Sequence, residues 1–112
     1  MCRSLMVLCV AAGRPSLQAL KRAAVAQEWE LTPGATTMKE ALDQLDERKP
    51  HVLIAWGAFA ELVQRARDRF PALRIIAVGR KPIECADVNL TSIKDVRDAI
   101  LGVPPPGGPV QA

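Results

Sequence analysis

The chain has 112 residues, 49% hydrophobic and 24% charged, which suits one soluble globule with a buried core and excludes a disordered or fibrous chain. A formal net charge of +3 is far from a polybasic nucleic-acid arm. Three cysteines without a CxxC pairing and a single histidine exclude a disulfide framework and a multi-histidine metal site within one chain.

Residues Leu5 to Ala12 form a continuous apolar run ending at Gly13, the pattern of a strand buried on both faces in a parallel sheet. The run is too short to span a bilayer. A helical pattern follows it directly, so it reads as a strand rather than a signal peptide. Pro15 suits a first helical turn, and Leu17, Leu20, Ala24 and Val25 repeat at helical spacing. Glu30–Thr32 is a short second strand stopped by Pro33-Gly34. Thr37 and Glu40 make a capping box for a helix whose inner stripe is Met38, Ala41, Leu42 and Leu45. Val52–Trp56 is the third strand, stopped at Gly57. Phe59, Leu62, Val63, Ala66 and Phe70 form the next helical stripe, ended by Pro71. Arg74–Val78 is the fourth strand and Ala86–Leu90 a weaker fifth. Ser92 caps a last helix, with Asp95 at the capping-box position, Ile93, Val96, Ile100 and Leu101 inward, and Gly102 as its C-cap. Pro104 to Pro109 continue no element, so residues 1–103 read as one α/β domain and 104–112 as a Pro/Gly-rich tail or linker.

Alternation of this kind implies parallel strands with right-handed crossovers: a three-layer doubly wound sheet of four to five strands, with no helix between the fourth and fifth. Ligands in such sheets sit at the carboxyl ends of the strands. Those ends carry Ala11, Ala12, Gly13 and Arg14, then Trp56, Gly57 and Ala58, then Gly79, Arg80 and Lys81, then Thr91, Ser92 and Lys94. None is a carboxylate. Neither a Mg²⁺ site nor paired-carboxylate acid/base chemistry has its parts there. Gly13, Arg14, Arg80, Lys81 and Lys94 form instead a cationic edge for an anionic small ligand or a partner.

The stretch WELTPGATTMKEALDQLDERKPHVLIAW, residues 29–56, resembles the second strand, second helix and third strand of response-regulator receiver domains. Ala41-Leu42 matches the family's Ala-Leu pair, and Pro50-His51 stands for its Pro-Asp. The resemblance extends weakly over residues 4–101. It puts Ala11 and Ala12 in place of the family's acidic pair, Trp56 at the phosphoacceptor aspartate, and Gly79 at the switch threonine or serine. The family's lysine-proline falls near Thr91-Ser92, with Lys94 out of register, and residues 79–85 are too few for its fourth helix. The resemblance therefore implies a pseudo-receiver without aspartyl phosphorylation, catalytic residues, metal or cofactor.

Cys9 and Arg14, followed by Ser16, offer a different chemistry. The segment resembles the phosphate loop of low-molecular-weight tyrosine phosphatases and the phosphocysteine loop of sugar-phosphotransferase EIIB domains, with the spacing off by one in each. A thiolate facing a helix N-terminus would have a lowered pKa. The apolar residues after Cys9 instead favour a buried structural cysteine. Trp56 and Trp29 could stack on a ligand or anchor a partner, and Trp56 reads best as a plug in the degenerate site. Arg65, Arg67 and Arg69 read as a solvated face, and His51 as a surface or capping residue. The expected function is a cytoplasmic, non-catalytic signalling or scaffold module. Its partner would be a protein, a second copy being one form, with contacts through the last helix and fifth strand by family analogy and with neither nucleic acid nor membrane.

Overall fold

The computed structural model describes residues 5–25, 29–57, 59–81 and 83–101. Five strands and four helices alternate as β1 (Leu5–Ala11), α1 (Arg14–Ala24), β2 (Trp29–Leu31), α2 (Met38–Arg48), β3 (Val52–Trp56), α3 (Ala60–Arg69), β4 (Arg74–Val78), β5 (Val88–Leu90) and α4 (Val96–Leu101). All neighbouring strands pair in parallel, in the order β2-β1-β3-β4-β5. This is the flavodoxin-like doubly wound order. The apolar runs occupy the three central positions, β1, β3 and β4, where both faces are covered. Period-two alternation splits them between two cores. Leu8, Val10, Leu53, Ala55 and Ile75 pack with α2 and α3, while Val7, Cys9, Val52, Ile54, Ile76 and Val78 pack with α1 and α4.

The short edge strands depart from the expected bounds. β2 is Trp29–Leu31 rather than 30–32, and β5 is Val88–Leu90 rather than 86–90. Pro33-Gly34 does not end the second strand's association with the sheet. Gly34 takes φ +87°, after which Ala35 bridges Val10 and exchanges backbone hydrogen bonds with Cys9 and Ala11. A Cβ at Gly34 would stand 3.0 Å from Leu17 Cδ1 and 3.2 Å from the Cys9 carbonyl oxygen, so only glycine fits this turn. Gln44 fixes it from the other side, donating to the Gly34 carbonyl at 2.6 Å and accepting from its N–H at 3.3 Å.

The helix ends follow their cap chemistry. The Thr37 hydroxyl accepts from the Glu40 N–H at 3.2 Å, and Glu40 accepts from Thr36 and Thr37, giving the expected reciprocal cap. Lys49 closes α2 in the left-handed region at φ 47°. Trp29 is no ligand stacker: its buried indole N–H donates to the Ala24 carbonyl at 2.6 Å and so closes α1. Ser92 caps a single 3₁₀ turn, Ile93–Asp95, through the Lys94 N–H, rather than an α-helix with Asp95 as capping-box partner. His51 does cap: its Nδ1 accepts from the Met6 N–H at 3.0 Å while its own N–H donates to the Met6 carbonyl, tying β1 to β3 at their amino ends. Gly102 and residues 104–112 lie outside the described residues.

Among the described residues, no helix joins β4 to β5. Half-buried Ile83, Cys85 and Ala86 pack on the α2/α3 core in its place. Arg67, expected on a solvated face, holds this segment down. Its guanidinium pairs with Asp87 at 2.6 Å and donates to the carbonyls of Cys85, Pro71 and Leu73. Asp87 also accepts from the Ile75 N–H at 2.9 Å. Asn89 adds a two-way clasp on the Ile83 backbone. The flanking Arg65 and Arg69 pair with Glu61 and Asp46, so no free basic patch exists on α3.

Candidate functional site

Parallel register aligns the strand ends. Ala11 pairs with Trp56, Trp56 with Val78, and Val78 with Leu90, so the last residues of four strands form one row. The loops above that row carry Ala12 and Gly13, then Gly57, then Gly79 to Lys81, then Thr91 and Ser92. Ala58 lies outside the described residues. Ala11 is fully buried, and Trp56 is half-buried against the α1/α4 core. Gly57 and Gly79 both adopt positive φ (+118° and +158°), and their amides donate across the row to the carbonyls of Val78 and Leu90. Among the described residues, no three His, Cys, Asp or Glu side chains gather as a metal would require.

The cationic candidates are spread along this edge rather than gathered. Arg14 follows β1, Arg80 and Lys81 follow β4, and Lys94 follows β5; all four are exposed. Strand spacing of about 4.8 Å starts the β1 and β4 loops about 10 Å apart. Trp56 ends the strand between them. Arg14 instead joins Lys21, seven residues on along α1, at a groove of about 270 Å³ on the flank of the sheet edge. Leu17, Gln18, Pro33, Gly34, Ala35, Thr36 and Glu40 complete its walls. The signal for it in the sequence was Pro33-Gly34, read as a stop. Only the left-handed Gly34 brings Ala35 and Thr36 back against β1 and leaves a cleft beside α1. Glu40 is the acidic group that a list of strand ends omits. Hydrogen bonds from Thr36, then Thr37, hold its carboxyl below the usual range.

The Cys9 alternative fails on position. Cys9 sits mid-strand, fully buried, paired with Ile54 and two residues short of the sheet edge. Desolvation pushes its thiol from 9.0 up to about 12, against a smaller downward pull from the Lys21 charge. It is a core thiol at neutral pH and not a nucleophile beside the α1 N-terminus.

No family model and no curated protein sequence matches the chain. Solved structures do. A CheY-like response-regulator receiver domain from Methanospirillum hungatei JF-1 superposes with a TM-score of 0.75 at 18% identity, over 88% of this chain and 92% of the other. The signal receiver domain of an HD domain-containing protein from Pseudomonas fluorescens Pf-5 gives 0.72 at 18%, over 88% and 90%. The chain has the receiver fold. A protein of another description superposes as well: a cobalamin-binding protein from Desulfitobacterium hafniense DCB-2 gives 0.68 at 19% identity, over 88% of this chain and 58% of that one. Against the receiver pattern, the connection between β4 and β5 is the departure, being a stapled loop instead of a helix. Among the described residues no helix is long and apolar enough to cross a membrane.

Proposed function

We propose that this chain is a pseudo-receiver: a non-catalytic signalling or scaffold module that works through protein–protein contact and is not phosphorylated on aspartate. One observation carries the reading. The row of strand ends where a receiver conducts its chemistry is Ala11, Trp56, Val78 and Leu90, with no carboxylate among them. Aspartyl phosphorylation needs one carboxylate as acceptor and others to hold the Mg²⁺ that neutralises the phosphoryl oxygens. Methyl groups and an indole supply neither. Half-buried Trp56 fills the middle of the row with apolar volume. What remains is a packed scaffold with charged outer faces, suited to contact rather than turnover. A reducing cytoplasm suits the free thiols among the described residues.

The test is thermal unfolding with and without beryllofluoride and Mg²⁺, alongside mass spectrometry after incubation with acetyl phosphate. The expected result is an unchanged Tm and no acid-labile phosphoryl adduct. A Mg²⁺-dependent rise in Tm, or an adduct on any aspartate, would overturn the proposal. Sedimentation equilibrium at micromolar concentration tests the contact itself, with a mass of twice 12.1 kDa identifying a second copy as partner.

A further inference from the structure

The groove beside α1 shares only Arg14 with the strand-end edge, and its chemistry is distinct. Its two cations, Arg14 and Lys21, stand seven residues apart on one helix, about 10.5 Å along the axis, with Leu17 and Gln18 between them. Neither has an ion-pair partner among the described residues. Lys21 Nζ reaches only a neutral acceptor, the Pro33 carbonyl, at 3.2 Å. The groove's one carboxylate, Glu40, is committed through Oε1 to Thr36 and Thr37. The opposing wall is fixed in advance, because Gly34 is clamped by Gln44 on both its amide groups and Ala35 is paired to β1. A cleft that needs no ordering on binding loses less affinity to that cost.

The geometry points to a binding site for a small organic molecule with two acidic groups, one facing Arg14 and the other Lys21, with its carbon skeleton over Leu17 and Ala35. The volume of about 270 Å³ lies just below the range of drug-sized pockets, which suits a compact metabolite carrying carboxylate or phosphate groups. The planar guanidinium fork of Arg14 suits two oxygens of either group, and Lys21 is a point charge. Glu40 disfavours a third negative group at its end of the cleft.

The test is amide NMR titration of the ¹⁵N-labelled chain with 3-phosphoglycerate, which carries both acid types, and with succinate, inorganic phosphate and glycerol in parallel. The expected result is saturable shifts at Leu17, Gln18, Gly34, Ala35 and Thr36, with a dissociation constant of about 1 mM or tighter. Arg14→Gln and Lys21→Met should each weaken it at least tenfold, while Arg80→Gln with Lys81→Gln should leave it unchanged. Both groove residues bear partly or fully exposed side chains, so these variants keep the fold. Stronger binding of succinate than of 3-phosphoglycerate would assign the natural ligand to dicarboxylates and sustain the proposal. Equal binding of inorganic phosphate alone, insensitivity to the Arg14 and Lys21 variants, loss with the Arg80 and Lys81 pair, or no shift at about 10 mM ligand would overturn it.

Discussion

Replacing Arg67 by Met tests whether one side chain holds the β4–β5 connection against the core. The substitution keeps most of the apolar stem and removes the guanidinium. Lost with it are the 2.6 Å bond to Asp87 and the bonds to the carbonyls of Cys85, Pro71 and Leu73. Asp87 would keep only the Ile75 N–H. Both side chains of the pair are 27% exposed, between a surface pair and a buried one. Surface pairs contribute about 0–1 kcal/mol, and breaking a buried pair costs about 3–5 kcal/mol. An intermediate loss of about 2–3 kcal/mol is expected, or a fall in Tm of about 10–20 °C for a domain of this size. Urea unfolding of Arg67→Met, Asp87→Asn and the double variant closes a cycle whose coupling should exceed about 1 kcal/mol. Arg67→Lys should not rescue, because an ammonium cannot reach the carboxylate and the carbonyls together. A single-variant loss under about 0.5 kcal/mol, or additive losses, would refute the hub and leave apolar packing of Ile83 and Ala86 as what holds the loop.

Native Cys9 should resist a thiol reagent at pH 8 while half-buried Cys85 reacts, and its thiol should lower stability in alkali. The folded pKa, raised to about 12, exceeds the unfolded value of 9.0, so stability falls as pH rises above 9.0 while only the unfolded thiol ionises. Cys9→Ala should remove that alkaline slope in pH-dependent urea melts. Gly34→Ala should cost about 2–3 kcal/mol, combining positive-φ strain with the clash against Leu17 and the Cys9 carbonyl; a neutral result in thermal melts would contradict the tight turn. Lys49→Gly should raise stability by about 0.5–1 kcal/mol by relieving the left-handed cap, which chemical denaturation can resolve.

The central strands were legible because burial on both faces leaves an unbroken apolar run, and β1, β3 and β4 carry one each. The edges were not. Three-residue strands such as Trp29–Leu31 and Val88–Leu90 leave too little pattern to fix a boundary. Thr37 and Glu40 could be paired from spacing alone, since a capping box is local. Arg67 and Asp87 could not: twenty residues apart, they meet only because α3 crosses the sheet beside the β4–β5 loop. At the site, the strand-end positions followed from parallel topology, but the Arg14–Lys21 groove depends on a backbone turn at Gly34 that composition reads only as a break.

The stapled loop also constrains what substitution can make of this chain. Asp87 and Asn89 occupy positions on and beside β5 that a covering helix would bury. Inserting such a helix now would trap a carboxylate and an amide without their present partners, at a cost of several kcal/mol. Adding it would require exchanging Arg67, Asp87 and Asn89 for apolar residues in concert. Each exchange alone is harmful, so the short connection resists conversion to a helix by single steps.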